Sequence, residues 1–217
     1  MPFAFPEGLA PEAYPLAWLV GRWRGEGVIS YPGIDEAPFV QEVVFDHDGG
    51  PYLRYQSTIR LVEPEVPATV PDEWTGEEVG DAPAEAPVDD VPLAGAAVLD
   101  APTTPPAAEL PVWETETGYW RVSPDRPDGL TDAQQALEVM LADPAGWLTL
   151  YVGAVGNGRI DLVHDLIART SSSAEITAAK RLYGLVEGDL MWVWEIAAFG
   201  HPLQNYASAR LVRQEEP

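Results

Sequence analysis

Few side chains in this sequence could do chemistry, and fewer stand at spacings that direct it. Cysteine is absent, which removes disulfides, thiolate nucleophiles, iron–sulfur clusters and thiolate zinc sites together. Neither H-E-x-x-H nor G-x-S-x-G occurs, and no glycine loop precedes a helix as a phosphate site requires. Ser171, Ser172 and Ser173 have no adjacent histidine and read as loop. Carboxylates are plentiful, but abundance alone gives no reason to pair two as acid and base. No catalytic residue and no metal centre is therefore expected. His164 lies in RIDLVHDLIAR (159–169), where Ile160, Leu162, His164, Leu166 and Ala168 share one strand face. Asp161, Asp165 and Arg169 share the other, so the alternation points His164 inward, either lining a cavity or hydrogen-bonded within the core. Arg54 and Arg60 are candidate holders of a ligand carboxylate. They share parity with Gln56 and Thr58, a polar face that reads as outward.

The elements that must position these residues are short, β-rich runs separated by turn signals. Ten are expected, over 21–30, 39–47, 51–62, 112–122, 135–143, 146–155, 159–169, 178–187, 189–198 and 206–213. The connectors GNG (156–158), EGD (187–189) and HDGGP (47–51) put glycine where a positive φ is needed. Sequence neighbours should therefore pair, as in a meander. A sheet of ten would leave two exposed edges unless it closes, and closure makes a barrel. The expected class is all-β: a ten-stranded antiparallel up-and-down β-barrel with one short N-terminal helix near 11–21, able to plug one end. TDAQQALEVM (131–140) also has helix-favouring residues, which blurs the start of its strand. In the first strand, Gly21, Trp23, Gly25 and Gly27 form G-x-W-x-G-x-G. Trp23 is suited to fill the narrow end of the cavity, and the glycines permit coiling and close strand approach.

Charge bounds the partners. The chain has 35 acidic and 12 basic residues, a net charge of −23, so nucleic acid and anionic membranes are set aside. About half of that charge sits in residues 63–110, with 12 Asp+Glu, 9 Pro and no Lys or Arg. That composition reads as a disordered insertion in an otherwise single domain of residues 1–217. It is a solvated linker or an acidic arm for a basic partner. No run approaches the roughly 20 apolar residues of a membrane span. The N-terminal stretch lacks the basic residues of a secretory signal, so cytoplasmic residence is expected. A homodimer is an open expectation.

Five stretches resemble the nitrobindin family: LAWLVGRWRGEG (16–27), DGGPYLRYQS (48–57), ETGYWRV (116–122), ARTSSSAEITAAKRLYG (168–184) and AAFGHPLQNYASARL (197–211). The resemblance covers most of the chain outside the acidic segment. It implies a calycin-type barrel similar to fatty-acid-binding proteins. Nitrobindins typically hold haem b through a histidine in P-L-Q-x-H-x-x-A, bind nitric oxide and isomerise peroxynitrite to nitrate. Here the motif reads Pro202-Leu203-Gln204-Asn205-Tyr206-Ala207-Ser208-Ala209. The resemblance thus puts Tyr206 where the iron ligand would be and is similar to the ligand-lacking branch called ferric nitrobindin-like. Substitute ligands would be Tyr206 as phenolate, His201 from the loop, or His164. The simplest expectation is no cofactor, with a small hydrophobic ligand or none. The alternative is a haem-binding peroxynitrite isomerase with a changed ligand.

Overall fold

The computed structural model describes residues 5–62 and 110–215. The acidic segment therefore lies, except for its last residue, outside the described residues. Ten strands follow in chain order: β1 (Gly21–Tyr31), β2 (Ile34–Asp46), β3 (Leu53–Leu61), β4 (Val112–Val122), β5 (Gln135–Asp143), β6 (Trp147–Gly156), β7 (Arg159–Arg169), β8 (Ile176–Val186), β9 (Asp189–Ala198) and β10 (Gln204–Gln214). Each pairs antiparallel with its sequence neighbours, and β10 returns to β1, so the sheet closes on itself. The expected all-β class and ten-stranded barrel are borne out. Two hairpins turn as their glycines require. Asn157 and Gly158 have φ of 53° and 70°, and Glu187 and Gly188 have 54° and 95°, the paired positive φ of a type I′ turn. Residues 131–134 form a turn, not a helix, and β5 starts at Gln135. No helix among the described residues is long and apolar enough to cross a membrane.

One end of the barrel is a regular floor. A 3₁₀ helix over Pro11–Leu19 buries Ala13, Leu16, Ala17 and Leu19 there. Trp23 is 1% exposed and donates its indole N–H to the Leu19 carbonyl at 2.7 Å. The Arg213 guanidinium lies 4.1 Å from the Trp23 ring centre and donates to the carbonyls of Trp18 and Val20. Helix, first strand and last strand are thereby tied at one point. Of the motif's glycines, Gly21 has a φ of 128°, and Gly25 and Gly27 are set by close strand approach. A Cβ at Gly25 would collide with the Arg210 carbonyl on β10, and one at Gly27 with the Ser208 carbonyl and the Phe39 ring.

The other end is irregular. Pairing skips Trp113 between β3 and β4, Asp165 between β6 and β7, Thr177 between β8 and β9, and Tyr206 between β9 and β10. A fifth shift falls between Ile29 and Tyr31 against β2. All five lie toward the end bearing the 31–34, 143–147, 169–176 and 198–204 connections. Bulges concentrate at barrel rims because an extra residue bends the strand and re-aims its side chains.

The bulge at Asp165 corrects the expected face of β7. Ile160 and Leu162 are buried as expected, but beyond the bulge the parity reverses. Leu166 is 58% exposed, Ala168 is exposed, and Ile167 packs against the core. His164 stands at the reversal, where the β7–β8 ladder ends at Val163 paired with Lys180. Its Nδ1 accepts the Ala179 backbone N–H at 3.1 Å. The imidazole takes over a bond that a strand carbonyl would otherwise make, the hydrogen-bonded alternative of the two anticipated for it.

Candidate functional site

The bulged end surrounds a cavity of about 550 Å³, within the range of roughly 300–1,000 Å³ usual for small-molecule sites. Its aromatic wall is Trp113, Trp147, Trp194, Phe199 and Tyr206, and its acids are Glu114 and Asp143. The bulges explain how neighbours in sequence share this wall. Unpaired Trp113 turns toward the mouth beside Glu114, and its indole N–H donates to the Tyr206 hydroxyl at 2.9 Å. Trp194 meets the Tyr206 ring edge-on at 4.9 Å. Trp147 is fixed by its own N–H, which donates to the Ala174 carbonyl at 2.9 Å. Ser173 Oγ donates to the Ala145 carbonyl at 2.6 Å, so the serine run is a turn, as read from sequence.

Below the mouth the barrel is filled. Two residual voids there measure about 20 and 10 Å³, room for about one water each. The filling is polar and centred on Arg181 of β8. Its two terminal nitrogens donate to both oxygens of Glu116, at 2.5 and 2.7 Å. It also bonds the hydroxyls of Tyr151 and Tyr183, each at 3.3 Å, and lies 4.2 Å from the Trp194 ring centre. This is the Arg–Tyr arrangement that would hold a ligand's carboxylate, but the carboxylate comes from the chain itself. Arg54 and Arg60 do not take that role. Arg54 pairs with Asp46 in solvent at 2.5 Å, and Arg60 donates to the Leu110 carbonyl at 3.0 Å. Trp192, on the same face as Trp194, donates to Gln41 inside the barrel at 2.8 Å.

The electrostatics of the cavity follow from one pairing. Glu116 takes up Arg181, and no lysine or arginine lines the cavity among the described residues. Burial pushes the Glu114 carboxyl well above the usual range, and the neighbouring charge of Glu116 adds to the effect. Burial likewise raises Asp143, against the Ala145 N–H bonded to it at 2.5 Å. Tyr206 is raised by burial first and by Glu114 second, so its phenol stays protonated. A carboxyl whose folded pKa is raised contributes stability that is complete below its unfolded value, 4.5 for Glu114, and is lost as pH rises through the folded value. Urea denaturation is therefore expected to show stability falling as pH rises from 4.5 through the folded value. Glu114→Gln should flatten the decline, and an undiminished slope in the variant would refute the assignment.

A family described as THAP4-like, heme-binding beta-barrel domain matches residues 12–213. The chain belongs to this family, the nitrobindins. It is 43% identical to a ferric nitrobindin-like protein of Beutenbergia cavernae, over 98% of this chain and 99% of that one. It is 35% identical to a peroxynitrite isomerase of Leifsonia xyli subsp. xyli, over 97% of this chain and 98% of that one. The crystal structure of Rv2717c from M. tuberculosis matches with a TM-score of 0.64 at 28% identity, over 95% of this chain and 99% of that one. The family expected from the sequence is borne out.

Haem is the group this nitrobindin family implies, and the cavity wall provides the test of fit. Haem iron is held by histidine, cysteine, methionine or tyrosine, and among the described lining residues only Tyr206 is of these types. Ferric iron takes tyrosine as phenolate. Here the hydroxyl oxygen already accepts from Trp113 and the surrounding acids oppose ionisation. Arg210, four residues on, pairs with Asp189 at 2.6 Å in place of supporting a phenolate. His201 sits in the β9–β10 turn, exposed, with its ring edge-on to Tyr31 at 6.0 Å. His164 is engaged with Ala179, and neither histidine lines the cavity. The residues present do not fit an iron. Trp23, the other residue expected at the cavity, closes the floor and is absent from this wall.

The residues that sequence reasoning passed over are Trp113, Glu114, Glu116, Asp143, Trp147 and Arg181. A signal for two of them was present. Glu114, Glu116, Gly118 and Trp120 share parity on β4, and Trp120 is fully buried.

Proposed function

We propose that this nitrobindin-family barrel binds a small, largely apolar molecule at the Tyr206 mouth, without an iron–protein bond and without catalysing a reaction. The observation that carries this reading is the Tyr206 hydroxyl, bonded by Trp113 and kept protonated by burial among acids. On this reading Tyr206 stands where other family members place their iron ligand, and the barrel persists as a container. Titration with ferric haem tests it. The wild-type protein is expected to give no sharp, stoichiometric Soret band, whereas Tyr206→His is expected to gain one.

A second reading has its support in the relatives named peroxynitrite isomerases. Under it the chain carries haem and turns peroxynitrite over with a substitute ligand. A stoichiometric wild-type band that disappears in Tyr206→Phe would establish this reading and remove the first.

A further inference from the structure

The chemistry of the mouth cavity narrows what it can hold. Its walls are aromatic on three sides, with Trp113, Trp147 and Trp194 contributed by β4, β6 and β9. Its acids are Glu114 from β4 and Asp143 from β5. The Glu114 carboxyl makes no hydrogen bond to the described residues, since no donor reaches it. The charged and titratable groups packed around these two are Glu116 on β4, Tyr151 on β6, Arg181 and Tyr183 on β8 and Tyr206 on β10. Arg181 is the only cation among them, and both oxygens of Glu116 already occupy it. When Glu114 and Asp143 are ionised, no cation in the wall offsets them, and only the Ala145 N–H bonds to Asp143. An anionic guest would meet like charge with its one complementary group taken.

Trp194 is 7% exposed and stands between the filled core and the cavity. Its indole N–H is shielded from solvent and has no acceptor among the described residues. Aromatic faces beside uncompensated carboxyls form the environment that attracts an organic cation.

We propose that the mouth cavity selects a hydrophobic amine, its ammonium group against Glu114 and Asp143 and its apolar body between Trp113, Trp147 and Trp194. The proposal rests on the reading of the mouth as an iron-free small-molecule site. Binding proceeds with the carboxyls ionised, the form that burial disfavours in the empty cavity. The buried ion pair beneath acts as a floor that excludes carboxylates.

Three probes with one body and different heads test this: 4-phenoxybutylamine, 4-phenoxybutanol and 4-phenoxybutyrate, titrated calorimetrically into the full chain. The amine is expected to bind at least about tenfold tighter than the alcohol, a difference of ~1.4 kcal/mol, and the acid weakest of the three. Glu114→Gln, and independently Asp143→Asn, should reduce the amine's advantage over the alcohol. Near-UV circular dichroism checks that each variant is folded, and either variant alone suffices. If the three heads bind alike, or the acid binds best, or both folded variants keep the amine preference, the proposal is overturned while the iron-free site stands. If no probe binds, it is overturned as well. A wild-type haem band that depends on Tyr206 would then remove the underlying reading too.

Discussion

Arg181→Met is expected to destabilise the barrel by about 3–5 kcal/mol, read as a lower urea midpoint with little change in slope. The side chains of Arg181 and Glu116 are 4% and 9% exposed, so removing the guanidinium leaves a buried carboxylate with only the Tyr55 hydroxyl, at 3.5 Å, as a partner. Glu114 and Asp143 stand nearby, and whenever either ionises it adds repulsion to the stranded group. The pair as a whole need not stabilise the fold, because taking both ions out of water offsets much of their attraction. The double variant Glu116→Leu/Arg181→Met should therefore recover most of the loss. Strictly additive single effects would show that the two groups do not act as a unit.

Trp23→Ala is expected to cost about 3–5 kcal/mol, the range for emptying a large buried aromatic site. Three separate attachments end at this ring: the floor helix through Leu19, the last strand through Arg213, and the apolar packing of the floor. Trp23→Phe should lose the hydrogen bond to Leu19 and some packing, and so cost less than the alanine variant. A loss below about 1 kcal/mol for Trp23→Ala would mean the floor collapses around the gap, and would sink the closing role assigned to it.

Much of this architecture was legible in the residues. Alternation and glycine turns gave the strands and their antiparallel order, because in a meander each pairing is local and each hairpin declares itself. Trp23, Gly25 and Gly27 could be read because their reason is steric and belongs to one strand and its neighbours. The mouth was legible in part. Tyr206 could be singled out only by resemblance, since a tyrosine in a strand carries no signal of its own. Leu166 and Ala168 were assigned to the wrong face because one unpaired residue, Asp165, reverses every position after it. The two acids of β4 do not stand out in a chain of 35 acidic residues. Their parity with Trp120 is what sets them apart. Which carboxylate would meet Arg181 is a contact between strands that lie across the barrel, and no local pattern encodes it.

The five ladder irregularities share one rim, while the floor keeps an unbroken register. Chemistry and foundation are thereby housed apart. A residue such as Tyr206, already outside the ladder, can be exchanged for another type without disturbing the hydrogen bonds that close the cylinder. The same shell can therefore pass among guests over evolutionary time, gaining or shedding a ligand class by substitutions whose structural penalty stays local to the rim.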